Sequence, residues 1–357
     1  MRSLIALGLV GCANAAPGKP ITKVELGEQL FNDTRLSEPA GQSCADCHDA
    51  KLAFTDPEND RVSAGVIRER FGVRNAPTAM YASFVPPLHR DAHTQSMVGG
   101  LFWDGRADSL ETQALSPLTN PLEMNNPDRG AVVAKIRRYY GRQFHDVFGK
   151  DALTDEATAL AHLGDAIAAF ERTSGFAPFS SKYDRYLAGT VELAAAEARG
   201  LAIFEDPARG NCASCHPSRP GPDGSPPLFT NFSYANIGLP RFADSPFYML
   251  PTALNPDGAA FIDRGLAKTT GDPRDDGLFR VPTLRNIAKT SPYGHNGYMR
   301  RLDEMIELLA GTCLRPGTCN PPAPEVVANA QRVRTGTTLS KQDIADLLAF
   351  LRTLDDE

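Results

Sequence analysis

The sequence predicts a mainly α-helical fold built from two similar halves, and three observations carry that prediction. Gly41-Gln42-Ser43-Cys44-Ala45-Asp46-Cys47-His48 has a counterpart in Gly210-Asn211-Cys212-Ala213-Ser214-Cys215-His216, and both end in C-x-x-C-H. Apolar residues recur at helical spacing, as in Val133, Ile136, Tyr140, Phe144 and Val147, and again in Leu160, Leu163, Ile167 and Phe170. No stretch keeps up the two-residue alternation of a half-buried strand.

C-x-x-C-H is the attachment sequence of c-type haem: the two cysteines become thioethers and the adjacent histidine is placed to ligate the iron. Cys44, Cys47 and His48 form one such set, and Cys212, Cys215 and His216 the other. A structural zinc site also uses C-x-x-C, but no second cysteine pair completes either site. The fold class is therefore mainly α, with two cytochrome c-like domains, each binding one covalently attached haem.

A chain of 357 residues, 42% hydrophobic and 22% charged, has ample material for two or three globular domains. Its net charge of −6 argues against nucleic acid as a partner and is compatible with a positively charged redox protein. Met1-Arg2-Ser3, the apolar run Leu4 to Val10 and the small residues that follow resemble an export signal, assigned to residues 1–16. Ala13-Asn14-Ala15 fits ordinary cleavage and release into the periplasm. Leu9-Val10-Gly11-Cys12 fits a lipobox, which would leave the protein lipid-anchored through Cys12. The apolar run is too short to span a membrane and no other stretch is long enough, so no transmembrane segment is expected. Cys313 and Cys319 flank a Pro-Gly turn and suggest a disulfide in an oxidising compartment.

In chain order, residues 25–36 read as a helix leading into the first haem loop, and Gly200-Leu201-Ala202-Ile203-Phe204 leads into the second. Helices follow over 130–148 and 155–172. Thr173 to Ser181, with Gly175 and Pro178, marks the boundary between an N-terminal domain (17–176) and a C-terminal one (177–357). Pro217 to Pro227 is a surface insertion. Residues 302–309 read as helix. Ser340 caps a last helix, with Asp343 three residues on and Ile344, Leu347, Leu348 and Leu351 on one face.

Further motifs cluster between the haem sequences. Arg74-Asn75-Ala76-Pro77-Thr78 is echoed by Arg280-Val281-Pro282-Thr283-Leu284-Arg285-Asn286. Phe102-Trp103-Asp104-Gly105-Arg106 holds the only tryptophan, and Asn120-Pro121-Leu122-Glu123-Met124 follows. On residue type alone Trp103 is a core aromatic and Glu123 an exposed loop carboxylate. Together with Ser291-Pro292-Tyr293-Gly294-His295, these motifs make the chain resemble the bacterial dihaem cytochrome c peroxidases and the related dihaem enzymes that mature methylamine dehydrogenase. The resemblance covers essentially the whole mature chain.

The resemblance implies a role for each matching position. His48 ligates the peroxidatic haem and His216 the electron-transferring one. Glu123 is the catalytic acid–base group, Gln113 its companion in the distal pocket, and Trp103 the aromatic between the haems. Asn75, with the carbonyls of Thr290 and Pro292, holds one calcium ion, an oxygen-donor set that suits a hard cation. His295 supports the second haem without ligating it. The implied partners are hydrogen peroxide, a small electron donor (a cytochrome c or a cupredoxin) and, by analogy, a second copy of the chain in a homodimer.

Two departures stand out. Many family members carry, eight residues before the asparagine of Asn-Ala-Pro-Thr, a histidine that caps the first haem at rest; here Ile67 stands there. The second haem takes a methionine, or a tyrosine in the maturation enzymes, at the position of Leu309, which cannot ligate iron. Met305, one turn earlier on the same face, is the nearest sulfur. Met299 in the preceding loop and an open or water-bound iron are the alternatives.

The reading this favours is a periplasmic dihaem peroxidase that reduces hydrogen peroxide to water, with electrons delivered through the second haem. Its rivals are a maturation-type enzyme oxidising a partner protein's side chains, and a non-catalytic dihaem electron carrier.

Overall fold

The computed structural model describes residues 20–58, 61–221, 224–312, 322–330 and 338–357. The expected signal with Cys12, the Cys313–Cys319 disulfide and part of the 217–227 insertion lie outside the described residues. The fold is mainly helical, with α1 (Lys23–Phe31), α2 (Leu110–Thr119), α3 (Arg129–Phe148), α4 (Glu156–Glu171) and α5 (Lys182–Leu187). It continues with α6 (Ala195–Glu205), α7 (Ala267–Thr270), α8 (Leu302–Ala310) and α9 (Lys341–Arg352). Among the described residues the strands form two short antiparallel pairs, β1 (His89–Arg90) with β2 (Met97–Val98) and β3 (Tyr234–Ala235) with β4 (Phe279–Arg280).

Local chemistry sets the helix ends. Thr22 and Glu25 close a capping box at the start of α1, as Ser340 and Asp343 do at the start of α9. The first helix is shorter than the 25–36 its sequence suggests. Asn32 caps it by donating from Nδ2 to the Glu28 carbonyl, and Asp33 starts a separate 3-10 turn, Thr34–Leu36. Short amide and carboxylate side chains bond the nearby backbone and so favour caps over helix interiors.

The two larger hydrophobic cores among the described residues are built alike. In the first, α1 crosses α4 around Leu26, Leu30, Leu163 and Ile167. In the second, α6 crosses α9 around Ile203, Phe204, Leu347 and Phe350. A glycine allows each crossing. A Cβ on Gly27 would lie 1.9 Å from the Ala166 carbonyl oxygen, and one on Gly200 would lie 2.0 Å from that of Asp346. One turn on, Phe31 meets Phe170 edge-on at 5.4 Å and Phe204 meets Phe350 edge-on at 5.1 Å.

The halves are joined by buried polar contacts. The Asp356 carboxylate accepts from the Tyr81 hydroxyl at 2.7 Å, Asn286 Nδ2 at 2.7 Å and the Ser180 N–H at 2.9 Å. Arg74 bridges Asp104 of the first half and Asp263 of the second. Burial opposes ionisation of Asp263, yet Arg74 holds its carboxyl down at about 2.

Candidate functional site

The two C-x-x-C-H sequences fold as matching 3-10 turns, Cys44–Asp46 and Cys212–Ser214. In each, the histidine N–H bonds back to the first cysteine's carbonyl, at 3.0 Å for His48 and 2.9 Å for His216. His48 Nδ1 lies 2.9 Å from the Phe54 carbonyl oxygen, and His216 Nδ1 lies 2.8 Å from that of Phe229. A carbonyl accepts only, so each Nδ1 carries the proton and Nε2 keeps its lone pair for a metal. Burial lowers the pKa of both imidazoles, that of His216 to about 4, so both stay neutral. None of these four cysteines is engaged in a disulfide, and all lie half-exposed beside the histidines. Both sites therefore fit a covalently attached haem.

Above the first site opens a cavity of about 1060 Å³, lined by Cys44, Cys47, His48, Trp103, Gln113 and Glu123 among others. Gln113 comes from α2 and Glu123 from the loop after it, so the expected distal pair shares one cavity with the expected proximal ligand. Glu123 is not the exposed loop carboxylate its residue type suggests. Its N–H donates to the Asn120 carbonyl at 3.0 Å, and its carbonyl accepts from Val66 at 2.9 Å. Burial raises the carboxyl above the ordinary glutamate range, while Arg106 and the Asn120 side chain pull it back. Ile67 sits half-buried on the turn that follows Val66, closed by Gly65 N–H to the Arg70 carbonyl at 2.7 Å. That turn thus rests on the Glu123 loop.

Trp103 stands where the halves meet. Its indole N–H donates to the Asn75 carbonyl at 2.9 Å, and its own carbonyl accepts from the Arg280 N–H at 2.9 Å. Asn75 in turn draws on the other half. Its N–H donates to the His295 carbonyl at 2.8 Å, and its Nδ2 donates to the Pro292 carbonyl at 2.7 Å. Asn75, Thr290 and Pro292 all line a second, smaller cavity of about 80 Å³ at this junction. His295 is buried, stacked on Phe279 at 3.5 Å, with Nε2 lacking a hydrogen bond. Met305 is buried in the second core, to which Leu309 and Met299 also pack. His89 and His93 are exposed, and His162 stacks on Phe148.

Sequence reasoning missed three contributors. Phe247, Leu254, Asp257, Phe261 and Lys268 of the second half line the first cavity, an effect of tertiary folding alone. Glu171 also lines it, its carboxyl pushed up to about 8 by burial against the pull of Arg172. Its position four residues after Ile167, on the apolar stripe of α4, was a usable signal. Arg280, at the junction of the cavities, was the third.

A mainly helical chain with two neutral, oriented C-x-x-C-H histidines, one of them sharing a cavity with a half-buried glutamate, defines a c-type haem oxidoreductase. A profile of the di-haem cytochrome c peroxidase family matches residues 21–192. Methylamine utilization protein MauG of Paracoccus denitrificans is 40% identical over 372 aligned residues, spanning 99% of this chain and 93% of that protein. The cytochrome c551 peroxidase of Nitrosomonas europaea is 31% identical over 92% of this chain and 79% of its own length. The crystal structure of the diheme peroxidase BthA from Burkholderia thailandensis superposes with a TM-score of 0.78 at 35% identity, over 94% of this chain and 86% of that one. The chain belongs to the di-haem cytochrome c peroxidase family, and membership brings two c-type haems.

Proposed function

We propose that the protein is a periplasmic dihaem peroxidase that reduces hydrogen peroxide to two waters, with two protons and two electrons drawn from a cytochrome c or a cupredoxin. The observation that carries this reading is the single large cavity joining His48 to Gln113 and Glu123. In this assignment residues 17–176 form the peroxidatic haem domain and 177–357 the electron-transferring one. Haem attached at His48 supplies the iron position that holds peroxide and the redox change that cleaves it. Glu123 takes a proton from one peroxide oxygen and returns it to the other, so that water departs. Its raised pKa suits it to both roles. Gln113 orients the peroxide by hydrogen bonding. Electrons cross from the second half past Trp103, whose indole is locked by Asn75. A calcium ion at the junction would take the carbonyls of Thr290 and Pro292 and the Asn75 carboxamide, with Oδ1 turned inward where Nδ2 now donates. No described helix is long and apolar enough to cross a membrane, which is consistent with a periplasmic location.

A plain dihaem carrier would have no use for a half-buried glutamate lining an open cavity. The maturation reading draws support from the 40% identity to the Paracoccus protein. Leu309 weighs against it, since the resemblance places a tyrosine there in the maturation enzymes. Steady-state peroxide turnover with a reduced cytochrome separates the readings. Ile67 further implies that the oxidised protein turns over without prior reduction, its first haem high-spin by electron paramagnetic resonance. Absence of turnover with any small redox donor would remove the peroxidase reading.

A further inference from the structure

Half-buried Arg280 stands apart from the other enclosed arginines. Arg74 is paired with Asp104 and Asp263, and Arg285 with Asp184. For Arg280 no carboxylate partner is found among the described residues. Its Nε donates to the Phe102 carbonyl at 3.2 Å, and its nearest electrostatic neighbour is the neutral phenol of Tyr234. Enclosure lowers its pKa, and only the Tyr234 phenol acts the other way. Such a charge is costly unless something on the holoprotein pairs with it.

Its placement says what that partner is. Arg280 lines the large cavity over His48 and also the small junction cavity with Thr230, Pro282 and Thr283. Those residues adjoin Phe229, whose carbonyl fixes His216. The backbone holds Arg280 there twice, by its register opposite Tyr234 in the β3–β4 pair and by its N–H on the Trp103 carbonyl. Haem carries two propionate carboxylates, and a guanidinium is the side chain best matched to a carboxylate in a dry site.

We propose that Arg280 is the counter-charge of haem propionate at the meeting point of the two cavities, and so sets the reduction potential of the haem it faces. A fixed positive charge favours the reduced iron, which carries one positive charge fewer. The inference rests on the dihaem reading, and a haem count on the native protein keeps the two apart. Fewer than two haems per chain by pyridine haemochrome would sink the dihaem reading itself.

The test is potentiometric titration of both haems in the native holoprotein, Arg280→Lys and Arg280→Gln. Arg280→Gln should lower at least one haem's midpoint, by ~tenfold or more in its reduction equilibrium, the scale of a charge lost from a low-dielectric site. Arg280→Lys, which keeps the charge but not the fork, should fall between. If Arg280→Gln does not load haem, resonance Raman of Arg280→Lys decides, because the propionate bending band moves when a donor to the carboxylate changes. Native-like potentials in Arg280→Gln overturn the proposal, as does an unmoved band with an unmoved potential in Arg280→Lys.

Discussion

The surroundings of His48 and His216 differ far more than the histidines do. Each ends a 3-10 turn, each gives its Nδ1 proton to a phenylalanine's carbonyl, and each stands beside a helix crossing opened by a glycine. What faces them diverges. The His48 cavity holds Glu123, Gln113 and Glu171, all polar. The second core, against which Cys212 packs, is lined by Leu239, Tyr293, Ile306 and Met305. The same local sequence therefore orients the imidazole in both halves, and it is the polar lining around His48 that leads the peroxidase reading to assign chemistry on an added ligand to the first half and electron transfer to the second.

The sharpest way to break this asymmetry is to make the first site inert. Glu123→Gln should keep both haems attached and lose ~10²–10⁴-fold in peroxide turnover, the usual cost of a positioned acid–base group. Turnover within a few-fold of the parent would remove Glu123 from the mechanism. The likeness of the two halves is tested next, by Gly27→Ala and Gly200→Ala. Both methyl groups would meet a helix carbonyl, so each variant should lose roughly 1–3 kcal/mol or more by denaturant unfolding. A large loss in one and none in the other would show that the crossings are not equivalent.

A smaller effect separates the halves by pH. Burial raises the folded-state pKa of Glu171 to about 8 from the ordinary glutamate value of 4.5. The folded chain thus holds a proton the unfolded chain has released, and stability falls as pH rises between those values, by up to ~1.4 kcal/mol per pH unit. Glu171→Gln should flatten that slope, read from melting temperatures between pH 5 and pH 8 (a window of about three units). An unchanged slope would mean the carboxyl is ionised in the holoprotein. The smallest change is spectroscopic. Met305→Leu should leave fold and haem content intact and abolish the far-red absorption band of a His/Met ferric haem. If the native protein lacks that band, or the variant keeps it, Met305 is a packing residue and the second iron is open or water-bound.

Much of this was readable in the chain because the signals are local. C-x-x-C-H specifies its own turn, and the stripe Leu160, Leu163, Ile167 specifies a helix that packs on one face. α2 was not anticipated, since Thr112, Gln113, Ser116 and Pro117 obscure any stripe, and its buried face is only Leu110, Ala114 and Leu118. Glu123 could be placed by resemblance, but its enclosure depends on Val66 and on the second half's Phe247 and Phe261, residues far away in sequence. Arg280 shows the same limit. Its partners Phe102 and Trp103 lie in the other half, so sequence gave no view of a charge without a mate.

The Asp356 clasp bears on the order of assembly. Tyr81, Ser180 and Asn286 converge on a carboxylate that leaves the ribosome after every other member of the group. A nascent polypeptide can build the α1–α4 core early, but this contact between the halves waits until Asp356 has been made. Truncation ahead of Asp356 would therefore spare both haem-attachment sequences and still remove one of the polar links between the lobes.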